Sequence, residues 1–179
     1  MVRVVVPFRA HRAKSRLGLG PEIALAMRDD VLEAASAIGE TILAAGEDGQ
    51  GTAVAAALER LPHGQVLVVN ADLPCATPRD LLALLGSAPL GGMALVEAAD
   101  GTTNALALAD PGQFRDLYGP GSAARFRAHA DVHGVGCITV AIPNLAGDVD
   151  TLDDLDRLEG RLGPHTAATL ASLREVAPA

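Results

Sequence analysis

The stretch Val66-Leu67-Val68-Val69-Asn70-Ala71-Asp72-Leu73-Pro74 decides the architecture. Four consecutive apolar residues, three of them β-branched, suit a strand buried on both faces. A mostly parallel sheet covered by helices on both sides requires such strands. The run stops at Asn70 and is closed by Leu73-Pro74, so Asp72 falls at the carboxyl end of a central strand. Ligands of open α/β sheets bind in the crevice beyond those ends. Thr77-Pro78 then opens a helix, with Pro at a favoured first position and Leu81, Leu82 and Leu85 facing inward.

The pattern repeats on both sides of this core. Val2–Val6 reads as a buried strand ended by Pro7, and residues 8–20 as a polar, basic loop. Pro21 starts a helix with Ile23, Met27, Val31 and Ala35 on its buried stripe. Thr41–Ala45 is a second strand, Gly46 to Gly51 a loop, and Thr52 the cap of a helix carrying Val54, Leu58 and Leu61. Further on, Met93–Val96 and Asn104–Ala109 are strands around the turn at Asp100-Gly101. Ser122 caps a helix to about Asp131, and Gly136–Ile142 is another strand. Thr151 caps a helix with Leu152, Leu155, Leu158 and Leu162 on one face, and a short helix follows Pro164. Strands alternating with helices predict an α/β fold with a mostly parallel sheet. The 179 residues show no repeat, linker or low-complexity stretch, so one domain over 1–179 is expected.

Composition narrows the partners. Net charge is −8 and aromatic residues make up 2% of the chain. An acidic chain without stacking residues is not built to hold a nucleic-acid polymer. No apolar run approaches the ~20 residues that cross a bilayer, and the five-residue start is too short for a signal peptide. Cys75 and Cys137 lie far apart without a CxxC spacing, which reads as reduced thiols in a cytoplasmic protein. A homodimer is allowed but not required.

Five features carry chemistry. Arg3, Arg9, Arg12, Lys14 and Arg16 all precede the first acid, Glu22, and Lys14 is the sole lysine beside 13 arginines. Cations on the loop after the first strand could neutralise a triphosphate; a solvated basic loop would look the same. Gly49-Gln50-Gly51-Thr52 precedes a helix, where glycines admit a ligand to the backbone and the helix N-terminus favours anions. Neither a GxxxxGK[ST] nor a GxGxxG word occurs. Asp72 is the third feature and Asp148-Val149-Asp150 the fourth. In an extended segment residues i and i+2 share a side, and paired hard carboxylates suit Mg²⁺ or Mn²⁺; the same acids could instead cap the following helix. The fifth is Gly119-Pro120-Gly121-Ser122, whose amides and hydroxyl could hold a small carboxylate or phosphate. His129, His133 and Cys137 have a zinc-like spacing without a fourth ligand. Asp153, Asp154, Asp156 and Glu159 read as a solvated helix face.

Taken in order, these words resemble the guanylyltransferase family of coenzyme F420 biosynthesis, which includes the 2-phospho-L-lactate and phosphoenolpyruvate guanylyltransferases. VPFRAHRAKSRL (6–17), NADLP (70–74), GTTNAL (101–106), GPGSAAR (119–125) and DVDTLDDL (148–155) carry the likeness, with LGPHTAATL near the end. The resemblance implies a single-domain, Rossmann-like nucleotidyltransferase fold of the GT-A type. It implies GTP as nucleotide substrate, bound by Arg9, Lys14, Arg16, Gly49 and Gly51, with Lys14 and Arg16 on the phosphates. It implies metal ions on Asp72, Asp148 and Asp150, and the carboxylate of a phospho-acid on Thr103, Gly119 and Ser122. Departures include a shorter segment at 38–51, where base recognition would be expected, and Gln50-Gly51 in place of Leu-Asn. Arg9 replaces a Lys and Phe126 a His. The expected reaction is transfer of a guanylyl group from GTP to the phosphate of a small phospho-carboxylic acid, phosphoenolpyruvate favoured. The rivals are a nucleotidyltransferase with another base or a sugar-phosphate acceptor, a non-catalytic nucleotide-sensing relative, and an interaction domain.

Overall fold

The computed structural model describes residues 2–8, 21–46 and 49–176. Six strands, β1 (Arg3–Pro7), β2 (Glu40–Ala44), β3 (Val66–Val69), β4 (Met93–Glu97), β5 (Thr103–Leu108) and β6 (Cys137–Thr139), form one sheet in the order β2-β1-β3-β5-β4-β6. β1 pairs in parallel with both β2 and β3, and β4 with β6. β5 runs antiparallel to β3 and β4. The sheet is therefore mixed and mostly parallel, inside one α/β domain. β4 and β5 form a hairpin closed at Asp100, whose Oδ1 accepts from the backbone and hydroxyl of Thr102.

Alternation along the strands builds two cores. Val4, Val6, Leu67 and Val69 face one side, against α1 (Pro21–Ser36) and α3 (Pro78–Ser87). Val5, Val66, Val68, Leu95 and Leu106 face the other, against α2 (Gln50–Leu58) and α4 (Ser122–Val132). β3 is fully buried, as a doubly covered strand must be. A third cluster lies beyond the sheet end. Ile23, Met27 and Cys75 meet Val149, Leu155 and Leu170 there, joining α1 to α6 (Leu152–Leu158) and α7 (Pro164–Val176). α5 (Pro143–Ala146) buries Leu145 in the first core. No helix among the described residues is long and apolar enough to cross a membrane.

Several local expectations are corrected by tertiary packing. Leu84 rather than Leu82 faces the core of α3, and Leu82 is half exposed. Leu152 is likewise outside the core, and Leu155 and Leu158 form the buried face of α6. α2 begins at Gln50 with Gly49 as its cap, so Thr52 lies inside the helix and caps nothing. Ser122 is the first residue of α4, and its hydroxyl is turned inward. β6 covers only Cys137–Thr139 of the expected 136–142 strand, because α5 takes over at Pro143. The last helix has 13 residues and is not short. Thr77 and Thr151 do cap their helices, each in a reciprocal box with an Asp three residues on. Cys75 and Cys137 are free thiols, pushed above their ordinary pKa by burial.

Candidate active site

The chain reverses direction of travel around β1: β2 lies on one side and β3 on the other. A crevice opens at such a switch point, beyond the strand ends. Here it is a cleft of about 530 Å³, within the range of small-molecule sites. Pro7 and Phe8 leave β1 into it, Ala44 ends β2, and Asn70, Ala71 and Asp72 follow β3. The opposite wall is Gly49, Gln50 and Gly51 at the start of α2, with Asp116, Tyr118 and Gly119 from the loop after β5.

Asp72, Asp148 and Asp150 converge, with one carboxylate oxygen of each lying within 4.8 Å of the others. The reason is local. Val149 is fully buried in the third core cluster, and its backbone N–H donates to the Asp72 carbonyl at 3.1 Å. That anchor turns residues 148 and 150 back towards Asp72. Burial pushes the Asp148 carboxyl above its ordinary value, and the charges of Asp72 and Asp150 push it further. The Asn104 amide, which donates to Asp148 Oδ1 at 3.3 Å, opposes the shift. Three hard oxygen donors that repel one another and are partly desolvated fit a divalent cation such as Mg²⁺. A second acidic group, Asp30 with Glu33 and His165, is different in kind. Both Asp30 oxygens already accept backbone N–H bonds from His165 and Thr166.

The other sequence candidates are placed as follows. Gly49, Gly51 and Gly119 line the cleft. Thr103 and Ser122 are buried behind it: Ser122 Oγ accepts from the Thr103 N–H at 2.8 Å and bonds the Thr103 hydroxyl at 3.1 Å. Arg9, Lys14 and Arg16 lie outside the described residues. The His129 and His133 rings lie 4.2 Å apart at a tilt of 45°, and among the described residues they join no metal-binding cluster with Cys137. Of the expected solvated acids, Asp153 is exposed, Asp154 caps α6, and Asp156 and Glu159 both bond Arg174.

Four contributors escape sequence reasoning. Asn104 bonds Asp148, and Gln50 Nε2 donates to Asn70 Oδ1 at 2.7 Å, closing the cleft floor between α2 and β3. Asp116 packs against Gly51, where a Cβ would collide with its carboxylate. Arg125 grips the loop in front of its own helix. Its guanidinium donates to the carbonyls of Leu117, Tyr118 and Pro120 at 2.6–3.1 Å. Gly119 sits inside that grip with φ 108, a conformation that favours glycine. Arg125→Lys loses the planar fork. Amide exchange at Tyr118 and Gly119 should accelerate about tenfold, which corresponds to one charge-assisted hydrogen bond; unchanged exchange would show that the aromatic cluster of Phe114, Tyr118 and Phe126 holds the loop alone.

Comparison with solved structures defines the class. A Desulfovibrio desulfuricans G20 protein assigned to the nucleotide-diphospho-sugar transferases matches with a TM-score of 0.71 at 13% identity, covering 97% of both chains. A nucleotidyl transferase from Methanothermobacter matches with a TM-score of 0.60 at 16% identity, covering 96% of this chain and 99% of that one. The fold is thus that of the nucleotidyltransferases. No family model matches the chain. Curated relatives do. The phosphoenolpyruvate guanylyltransferase of Streptomyces coelicolor is 34% identical over 206 aligned positions, covering 95% of this chain and 96% of the relative. That of Nocardia farcinica is 41% identical over 125 residues, 68% of this chain, which spans about half (54%) of the relative's length. A 3-phospho-D-glycerate guanylyltransferase of Phenylobacterium zucineum is 32% identical over 123 residues, 68% of this chain and 56% of the relative. The chain belongs to the family of the phosphoenolpyruvate guanylyltransferases.

Proposed function

We propose that the chain transfers a guanylyl group from GTP to the phosphate of a small phospho-carboxylic acid, phosphoenolpyruvate favoured, and releases pyrophosphate. The observation that carries this reading is the convergence of Asp72, Asp148 and Asp150 at the cleft beyond β3, in a member of this family. The acceptor phosphate oxygen attacks the α-phosphorus in line, the α–β anhydride breaks, and pyrophosphate leaves. The acceptor is already an anion at pH 7, so no side chain has to remove a proton. Catalysis reduces to positioning and charge neutralisation. A divalent cation on Asp72, Asp148 and Asp150, Mg²⁺ or Mn²⁺, would supply the positive charge that lets two anions meet.

Lys14 and Arg16 would take up charge on the departing pyrophosphate, with Arg9, Gly49 and Gly51 completing the nucleotide site. The acceptor carboxylate would be held by the turn carrying Gly119, whose shape Thr103 and Ser122 fix from beneath. A direct contact from either hydroxyl would first require breaking their mutual bond. The product would be the activated intermediate of coenzyme F420 biosynthesis, made in the cytoplasm. The name of the Phenylobacterium relative keeps 3-phospho-D-glycerate as a second acceptor to be tried.

The test is pyrophosphate release with Mg²⁺, GTP and each of phosphoenolpyruvate, 2-phospho-L-lactate and 3-phospho-D-glycerate, the nucleotide product being captured by rapid mass detection. Release with phosphoenolpyruvate alone is the expected result. Release with none, while GTP still raises the melting temperature, would replace catalysis by nucleotide sensing.

A further inference from the structure

Among the described residues two acids line the cleft, and the candidate metal-binding triad uses one of them, Asp72. The other, Asp116, stands on the far wall over the first turn of α2. We infer that the Asp116 carboxylate reads the Watson–Crick edge of guanine, which makes it the residue that selects the nucleotide. This assignment rests on the reading of GTP as donor.

Several observations converge on Asp116. Its carboxylate occupies the space that a side chain on residue 51 would fill. Gly51 is buried and Asp116 itself is exposed, so the carboxylate lies over the helix start with a side open to the cleft. Yet it makes no hydrogen bond or ion pair among the described residues, and the cap of α2, Gly49, receives no side-chain bond. Asp116 is therefore not serving as a helix cap. The neighbouring Tyr118 phenol is pushed above its ordinary pKa by burial and by the Asp116 charge, so the pair lies close. Arg125 pins the carbonyls on either side of Gly119, so the loop that carries Asp116 is fixed before any ligand arrives. The side-chain amides of the cleft are already engaged, Gln50 with Asn70 and Asn70 with Thr103.

The chemistry of that acceptor is selective. Guanine presents two donors side by side, N1–H and N2–H₂, which one carboxylate accepts as a pair. Adenine and cytosine present a ring-nitrogen acceptor at the equivalent position, which a carboxylate repels. The cleft walls between Asp116 and Asp72 include Pro7, Phe8 and Ala44, apolar surfaces that a flat base can lie against. The triad would then hold the phosphates at the other end.

The test exchanges the acceptor pair for an acceptor and a donor. Asp116→Asn should weaken guanosine triphosphate about 100-fold, the cost of unpaired donors in a site built for them. It should gain xanthosine triphosphate, whose O2 accepts from the new amide, by about tenfold, reversing the preference of the wild-type chain. Both nucleotides are measured by competition against a fluorescent GTP analogue with Mg²⁺ and no acceptor acid, and again as kcat/KM for pyrophosphate release with phosphoenolpyruvate. Inosine triphosphate, which lacks N2–H₂, should bind the wild type about tenfold more weakly than GTP. A wild type that prefers GTP and an Asp116→Asn variant with an unchanged GTP-to-xanthosine ratio would overturn this assignment alone. A wild type that prefers another nucleotide would overturn the GTP reading together with it.

Discussion

Asp148→Asn should cut turnover on the order of 10³-fold while making the cation-free chain more stable. The first effect follows from removing one of three charges that would hold the cation beside the reacting phosphates. The second follows from the mutual repulsion within the triad itself. Burial, then Asp72, then Asp150, push the Asp148 carboxyl up. A carboxyl whose folded value is raised binds its proton more tightly folded than unfolded. Its contribution to stability is complete below the ordinary carboxylate value and is lost as pH rises through the raised one. At neutral pH the ionised group is therefore a net liability, and the isosteric amide removes it. Melting curves should show the variant above the wild type without cation. With Mg²⁺ the order should invert, since only the wild type gains binding energy. Near-normal pyrophosphate release from a folded Asp148→Asn variant would sink the metal role of this residue.

The same triad shows what a sequence reveals and what it hides. β3 is legible because four apolar residues buried on both faces need no information from elsewhere. The cap at Thr151 is legible because its partner Asp154 lies three residues on, and the start of α3 because Pro78 suits a first helical position. Asp72 is legible because it follows β3 at the carboxyl edge of the sheet; Asp150 follows α5 and not a strand, and the Val149 backbone bond to Asp72 brings it in. The pattern fails where a distant segment decides. Leu82 and Leu84 are equally apolar, and the choice between them depends on the sheet beneath. Ser122 has the chemistry of a cap but is drawn to Thr103, 19 residues away. Arg125 looks like a surface cation until the loop before it folds across its guanidinium. Asp116 carries no local signal at all, since its meaning lies in the missing side chain of Gly51.

Asp30 is the strongest case of a residue whose sequence context conceals its role, and its removal should be the costliest single change to stability. It follows Arg28-Asp29 midway along α1, where the pattern of the helix does not single it out. In the fold it is buried, with Oδ1 accepting from His165 N–H and Oδ2 from Thr166 N–H, both at 2.9 Å. These are first-turn amides of α7, which have no partner inside their own helix. One carboxylate from α1 thus caps α7 and complements its dipole. Gly163 closes over it, where a Cβ would collide with the carboxylate, and Gly163 N–H donates to the Pro74 carbonyl at 2.7 Å. The start of α7 is therefore tied both to α1 and to the turn that carries Asp72. The nearby His165–Glu33 pair is exposed and adds little. Asp30→Ala leaves the buried Thr166 amide and the half-buried His165 amide unpaired and opens a void between the helices. The expected cost is about 3 kcal/mol, or roughly 6–12 °C in melting temperature for a domain of this size. Asp30→Asn should recover only part of it, because the amide sets an N–H₂ against one of the two backbone donors. Asp30 does not line the cleft, so the folded fraction of either variant should keep most of its turnover. A melting temperature within about 2 °C of the wild type for Asp30→Ala, well under the shift expected for 3 kcal/mol, would mean that α7 is held by its apolar contacts with Ile23 and Met27 alone.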